Sequence, residues 1–256
     1  MSIREKNMTL IFGKNHLHFT EITSTNQVAV SLLETKLPEG TIITALYQTQ
    51  GRGQQGSVWY SEHGKNVLFS IVLYPNFLQV QKQFYLTMAM ALAVKNTVQH
   101  FIAHRNVYIK WTNDILVENK KIAGILIENQ IQGEQLRSSV VGIGINVNQQ
   151  EFGAMAYKAT SCFLETRQVT SLEYWYKLLC EQIQSYYLKL KNQQYDAIKV
   201  EYTQNLAGYH EKRHYIANNQ VIEGIILGID DYGRLAMQQD NQVKYYEVKQ
   251  IEWIFT

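Results

Sequence analysis

A chain of 256 residues with 46% hydrophobic and 18% charged content has an ordinary globular composition, enough for one large domain or a main domain with a small appendage. Its formal charge of +2 gives no mandate for nucleic-acid binding, and two cysteines without a C-x-x-C pair or a His/Cys cluster offer no zinc pattern. A polar stretch over residues 1–9, no apolar run near the ~18 residues of a spanning helix, and thiols read as buried and reduced set the expectation of a cytoplasmic protein without a membrane partner.

Ser24-Thr25-Asn26 opens a short helix reaching about Leu33, with Ser24 or Thr25 able to cap it. Residues 41–47 are a β-branched strand that runs straight into Gly51-Arg52-Gly53-Gln54-Gln55-Gly56. Residues 66–73, a continuous apolar run, read as a buried strand, and residues 84–101 as a long apolar helix. Strands are predicted over 107–110 and 115–117 and, after a turn at Asn119-Lys120-Lys121, over 122–127. Residues 140–147 make a strand thinned by Gly142 and Gly144, and glycine inside a strand often marks close approach of a ligand or another backbone.

Leu172, Tyr176, Leu179, Ile183, Tyr186 and Leu190 recur at intervals of three and four, one face of an amphipathic helix. From about Tyr209 the texture shifts to short strands, 221–229, 234–237, 245–248 and 251–255, separated by turn signals as in a small β barrel. The expected division is a main domain over 1–205 and a small β domain over 206–256, marginal alone and therefore docked on the first.

The glycine-rich loop is a candidate anion cradle. Glycines let backbone N–H groups crowd an anion, and Arg52 adds a planar, permanently charged fork. By itself the loop fits neither G-x-x-x-x-G-K-[ST] nor G-x-G-x-x-G, and a surface turn explains it as well. Lys110, at the end of a predicted strand, is a second candidate cation, with a structural salt bridge as the plain alternative.

Further segments follow in order: Gln48 ahead of the loop; Trp59, Ser61, Gly64 and Asn66 behind it; Lys110-Trp111-Thr112-Asn113-Asp114; Lys121 with Gly124-Ile125-Leu126; and Gly142-Ile143-Gly144-Ile145-Asn146-Val147-Asn148. With Ser24-Thr25-Asn26 this series, spanning roughly residues 22 to 148, resembles the motifs of the biotin protein ligases. Only about twenty residues precede Ser24, too few for a helix-turn-helix domain, so the resemblance is to the monofunctional type that does not bind nucleic acid.

The resemblance implies an α+β fold: a catalytic domain like that of class II aminoacyl-tRNA synthetases and biotin synthetases, with a mixed sheet, followed by a small SH3-like β barrel. It implies that biotin and ATP, with Mg²⁺, give biotinyl-5′-AMP, and that a lysine of a biotin carboxyl carrier protein domain then takes the biotinyl group. It assigns Arg52 and Lys110 as catalytic residues. Ser24, Thr25, Gln48, Gly51, Arg52, Lys110, Gly124 and Gly142 would bind biotin, and Arg52, Gly53, Gln54, Trp59, Asn113, Lys121 and Asn146 the ATP or adenylate. Asp114 stands open between a metal-side carboxylate and a partner for a nearby cation, and no metal ligand is named.

A homodimer joined through a sheet edge is compatible with the family and not decided by these residues. The competing reading is a lipoate or octanoate protein ligase of the same superfamily. Three departures from the family pattern stand out: Gln54 and Ser57, where basic residues are common, and Thr112, where proline is common. The first two leave Arg52 to carry most of the loop's charge and predict a looser hold on the adenylate.

Overall fold

The computed structural model describes residues 11–254. The first half of the chain builds a seven-stranded sheet from β1 (His16–Ile22), β2 (Ile42–Gln48), β3 (Val67–Leu73), β4 (Val107–Lys110), β5 (Asp114–Val117), β6 (Lys120–Gln132) and β7 (Gln135–Ile145). Across the sheet the strands run β1-β2-β3-β7-β6-β5-β4; β1 and β2 are parallel and every other pair is antiparallel, so the sheet is mixed. The helices are α1 (Thr25–Leu32), α2 (Phe84–Phe101), α3 (Cys162–Thr166), α4 (Leu172–Lys191) and α5 (Tyr195–Gln204).

Side chains alternate across a strand, and here the alternation separates core from site. In β3, β6 and β7 the odd-numbered Phe69, Ile71, Ile125, Val141, Ile143 and Ile145 join the main core with α2 and α4. The even-numbered Leu68, Ser70, Gly124, Leu126, Gly142 and Gly144 look to the opposite face. There α1 seals one end with a small cluster of Ala29, Leu33, Ile43, Val72 and Val140. Burial on both faces is why 67–73 is apolar at every position but Ser70.

After α5 the chain forms a five-stranded antiparallel sheet, ordered β11-β10-β9-β8-β12. Its strands are β8 (Lys212–Ala217), β9 (Gln220–Ile229), β10 (Leu235–Gln239), β11 (Gln242–Tyr246) and β12 (Ile251–Trp253). The polar start at residues 1–9 and the expected strand end at Phe255 lie outside the described residues.

Several elements differ from the sequence expectation. β1, α3, α5 and β8 were not anticipated, because their exposed residues break an apolar repeat. The third strand from the sheet's edge, β6, runs on to Gln132 rather than stopping at 127, since its far half is a polar two-stranded ribbon with β7.

The turn between β4 and β5 is anchored from the C-terminal side. Ile109 N–H donates to the Asn205 carbonyl at 2.8 Å, and Ala207 N–H to the Ile109 carbonyl at 2.9 Å, which covers the open edge of β4. Trp111 Nε1 donates to the Gly233 carbonyl at 2.9 Å, and the fully buried Tyr202 hydroxyl to the Thr112 carbonyl at 2.8 Å. Tyr202→Phe leaves that carbonyl without its donor and is expected to lower stability by about 1–2 kcal/mol. Urea denaturation reads this directly, and an unchanged midpoint would mean the carbonyl finds another donor.

Candidate active site

Paired residues on one sheet face form a continuous floor. Lys110 pairs with Asp114, Asp114 with Gly124, Gly124 with Gly144, and Gly144 with Leu68, across β4, β5, β6, β7 and β3. Above it lies a cleft of about 310 Å³. Ser24, Thr25, Gln48, Arg52, Gly53, Gln54, Trp59, Asn113, Lys121, Gly124 and Gly142 all line it, as does Asp114. The topology thus brings together most residues expected to bind biotin or adenylate. Gly51, Lys110 and Asn146 are not among the lining residues.

One end of the cleft is a hydrogen-bonded polar relay. Gln48 Oε1 accepts from the Thr25 N–H at 2.7 Å and from its hydroxyl at 3.0 Å. The Ser70 hydroxyl lies 2.7 Å from Thr25 Oγ1 and 2.6 Å from Asn26 Oδ1. Asn26 Nδ2 donates to Glu128 at 2.8 Å, and Glu128 stands 3.8 Å from the Arg52 guanidinium. Ser24 occupies the N-cap position of α1 with extended backbone but makes no side-chain cap bond, so its buried hydroxyl is not spent on the helix.

Asn26, Ser70 and Glu128 belong to this relay and were not named as site residues. Asn26 closes the Ser24-Thr25-Asn26 motif at the start of α1. Glu128 was discoverable by continuing the alternation Gly124, Leu126, Glu128 one step past the expected end of the strand.

Side chains of the protein itself stand against the strand glycines. A Cβ on Gly142 would fall 2.2 Å from Asn26 Oδ1, so the space at Gly142 is already taken by the Asn26 amide. A Cβ on Gly144 would fall 2.4 Å from Trp59 Cε2, and one on Gly124 3.3 Å from Trp59 Cζ3. The two bare strands therefore accept the Trp59 indole flat on the floor.

The loop itself is a closed hairpin. Arg52 bridges Val58, Gly53 N–H donates to the Ser57 carbonyl at 2.7 Å, and Trp59 N–H to the Gly51 carbonyl at 3.0 Å. Gly51 is needed because a Cβ would meet the Trp59 carbonyl at 2.3 Å, which is a backbone reason rather than a ligand one. Trp59 Nε1 is buried with no partner among the described residues.

At the other end Lys121 and Asp114 pair at 2.6 Å, and the Lys121 ammonium lies 5.6 Å from the Trp59 ring centre. Asp114 is thus the partner of a nearby cation. Asn113 Nδ2 donates to the Ile125 carbonyl at 2.6 Å, holding the turn against β6. Thr112 keeps its side chain local, bonding the Asn113 amide oxygen at 3.0 Å. Asn146 Nδ2 donates to the Thr160 carbonyl at 3.0 Å, which places it in the wall beside the cleft instead of on its surface.

Lys110 shares the floor row but its ammonium turns toward the Trp253 ring, 5.6 Å from the ring centre. Burial pushes its pKa below the ordinary 10.5, Asp114 opposes the shift, and Lys121 adds to it.

With Gln54 and Ser57 neutral, Arg52 is the loop's one cation in the cleft. Ser57 spends its hydroxyl on the Gln54 carbonyl at 2.7 Å. Gln54→Arg is expected to slow release of a bound acyl-adenylate by about fivefold or more, the worth of one added charge-assisted contact. Stopped-flow release from the two proteins measures it, and identical rates would remove the loop's neutrality as a cause of weak retention.

Residues 18–146 match the model of the "Biotin/lipoate A/B protein ligase family", and residues 216–254 that of the "Biotin protein ligase C terminal domain". The bifunctional ligase/repressor BirA of Bacillus subtilis is 40% identical over 142 residues, 56% of this chain and 43% of its own length. That of Escherichia coli is 27% identical over 242 residues, 87% of this chain and 69% of its own. The chain spans less than half the length of the first of these relatives. The biotin protein ligase of Aquifex aeolicus, solved with biotin and ATP, superposes with a TM-score of 0.78 over 93% of this chain and 98% of its own, at 24% identity, a likeness of fold. The chain belongs to the biotin/lipoate A/B protein ligase family.

Proposed function

We propose that the chain activates biotin, whose carboxylate attacks the α-phosphate of ATP to give biotinyl-5′-AMP and release pyrophosphate, and transfers the biotinyl group to a lysine of a biotin carboxyl carrier protein domain. The observation that carries the reading is the cleft's polarity: a relay of Thr25, Gln48, Ser70 and Asn26 that ends on Glu128 beside Arg52, the Lys121–Asp114 pair at the far end, and an apolar sheet floor between. A ureido ring has N–H and C=O groups that can join such a relay, whereas the dithiolane of lipoate has none to offer. The valeryl chain suits the floor beside Leu68 and Leu126.

A carboxylate must meet a triphosphate, so fixed positive charge is required where they approach. Arg52, Lys121 and Lys110 supply it, and Trp59 offers an aromatic face and an unpartnered N–H beside them. Among the described residues there is no group of three or more His, Cys, Asp or Glu that could hold a metal ion. Mg²⁺ would therefore arrive on the phosphates, with Asp114 as the carboxylate at hand, and would offset phosphate charge. In the second step the acceptor's ε-amine attacks the acyl carbon, the acyl–phosphate bond breaks, and AMP leaves with the electron pair.

This reading places catalysis in residues 1–205 and a supporting β domain in 206–256. It places the protein in the cytoplasm; among the described residues no helix is long and apolar enough to cross a membrane. Incubation with biotin, ATP, Mg²⁺ and a recombinant carrier domain is expected to add one biotinyl mass to the carrier. ATP–pyrophosphate exchange should depend on biotin and not on lipoate or octanoate. Exchange with lipoate alone would assign the lipoate branch instead.

A further inference from the structure

We infer that Val58, Tyr60, Met155 and Tyr157 form the docking surface for the acceptor protein. The inference rests on the ligase reading above and extends it from the small substrates to the large one. Trp59 turns its indole inward onto the floor, and its neighbours in the extended backbone turn out. Val58 is 59% and Tyr60 80% exposed. Across the mouth Met155 is 53% and Tyr157 68% exposed. Val58 and Met155 both reach the cleft, so the two segments flank one opening.

The second segment is held there. Lys121 N–H donates to the Lys158 carbonyl at 2.8 Å and Thr160 N–H to the Lys121 carbonyl at 2.9 Å, stapling residues 158–160 to the start of β6. That is also where Lys121 reaches Asp114 in the cleft. Large apolar side chains clustered on a rim mark an interaction surface, and aromatic anchors are what such surfaces use.

The occupant follows from the chemistry. An activated acyl group buried in the cleft leaves only to an amine that enters it, so the protein bearing that amine must cover the rim. Lys158, whose ammonium lies 4.9 Å from the Tyr157 ring centre, gives the rim a cation in addition to Arg52, which Glu128 faces at 3.8 Å. It suits an acceptor with acidic residues beside its target lysine. A second copy of this chain meeting itself about a twofold axis would instead bring like charges together.

The test is the double variant Tyr60→Ser/Tyr157→Ser, which leaves the cleft lining alone. The KM for the carrier domain is expected to rise about tenfold or more. Biotin-dependent ATP–pyrophosphate exchange and transfer to hydroxylamine should stay within about twofold, which also reports an intact fold. An unchanged carrier KM overturns the proposal. A rise accompanied by conversion of a dimer to a monomer in sedimentation also overturns it, by assigning the patch to a second copy. Absence of exchange in the unaltered protein would be a failure of the ligase reading and not of the docking surface.

Discussion

Lys110→Ala is expected to lower carrier biotinylation by about 10²–10³-fold while the protein remains folded. Lys110 stands at the head of the floor row, directly opposite Asp114, whose side chain lines the cleft. Paired residues of neighbouring strands point to the same face, so the stem of Lys110 starts on the site side of the sheet. At ~5 Å per strand its backbone is about 10 Å from Gly124, within the combined reach of a four-carbon stem and a bound acyl-phosphate. The ammonium lies 5.6 Å from the Trp253 ring centre, and the role assigned to it requires the flexible stem to swing toward the cleft.

The pH dependence separates this role from a packing role. Burial disfavours the charged amine, so its pKa lies below 10.5 and charge is lost as pH rises through that lowered value. A rate that needs the ammonium therefore falls on the alkaline side at a pH below 10.5. Lys110→Arg, which stays charged, should displace that limb upward even if it lowers the maximum. Near-normal turnover in Lys110→Ala, together with a large loss in Lys121→Ala, would move the assignment to Lys121.

The readable parts of this protein were those in which one residue's type already carried its environment. The buried strand at 67–73 and residues 85–94 of the long helix are largely apolar because both are covered on nearly all sides. The site motifs were readable because glycine, arginine and lysine are costly or uninformative elsewhere. The neighbours of those residues were not readable. Asn26 and Gly142 occupy one space although they belong to a helix and a strand far apart in the chain. The Lys110 ammonium lies 5.6 Å from the centre of the Trp253 ring in the last strand, and no local pattern in 107–114 announces that contact. β1 escaped because an edge strand with exposed histidines and threonine has no apolar alternation strong enough to mark it.

Two alanine substitutions, on adjacent even positions of β7, are expected to fail in different ways. In Gly142→Ala the new methyl falls on Asn26, which is buried and tied to Ser70 and Glu128. The amide must move, and the groups it served lose their partners inside the protein. A loss of about 1–3 kcal/mol in urea denaturation should follow, with weaker biotin binding. In Gly144→Ala the methyl falls on the Trp59 indole, which is half-buried and belongs to the loop rather than to the sheet. The indole can be expelled without disturbing the sheet, so stability should change by less than about 1 kcal/mol. On the proposed reading, what is lost is the aromatic face that would meet the adenine. Stacking of that kind contributes about 1–3 kcal/mol, so KM for ATP in the exchange reaction should rise about tenfold. If both variants lose stability alike and ATP binding is untouched in Gly144→Ala, then Trp59 is part of the sheet's packing and the adenine lies elsewhere.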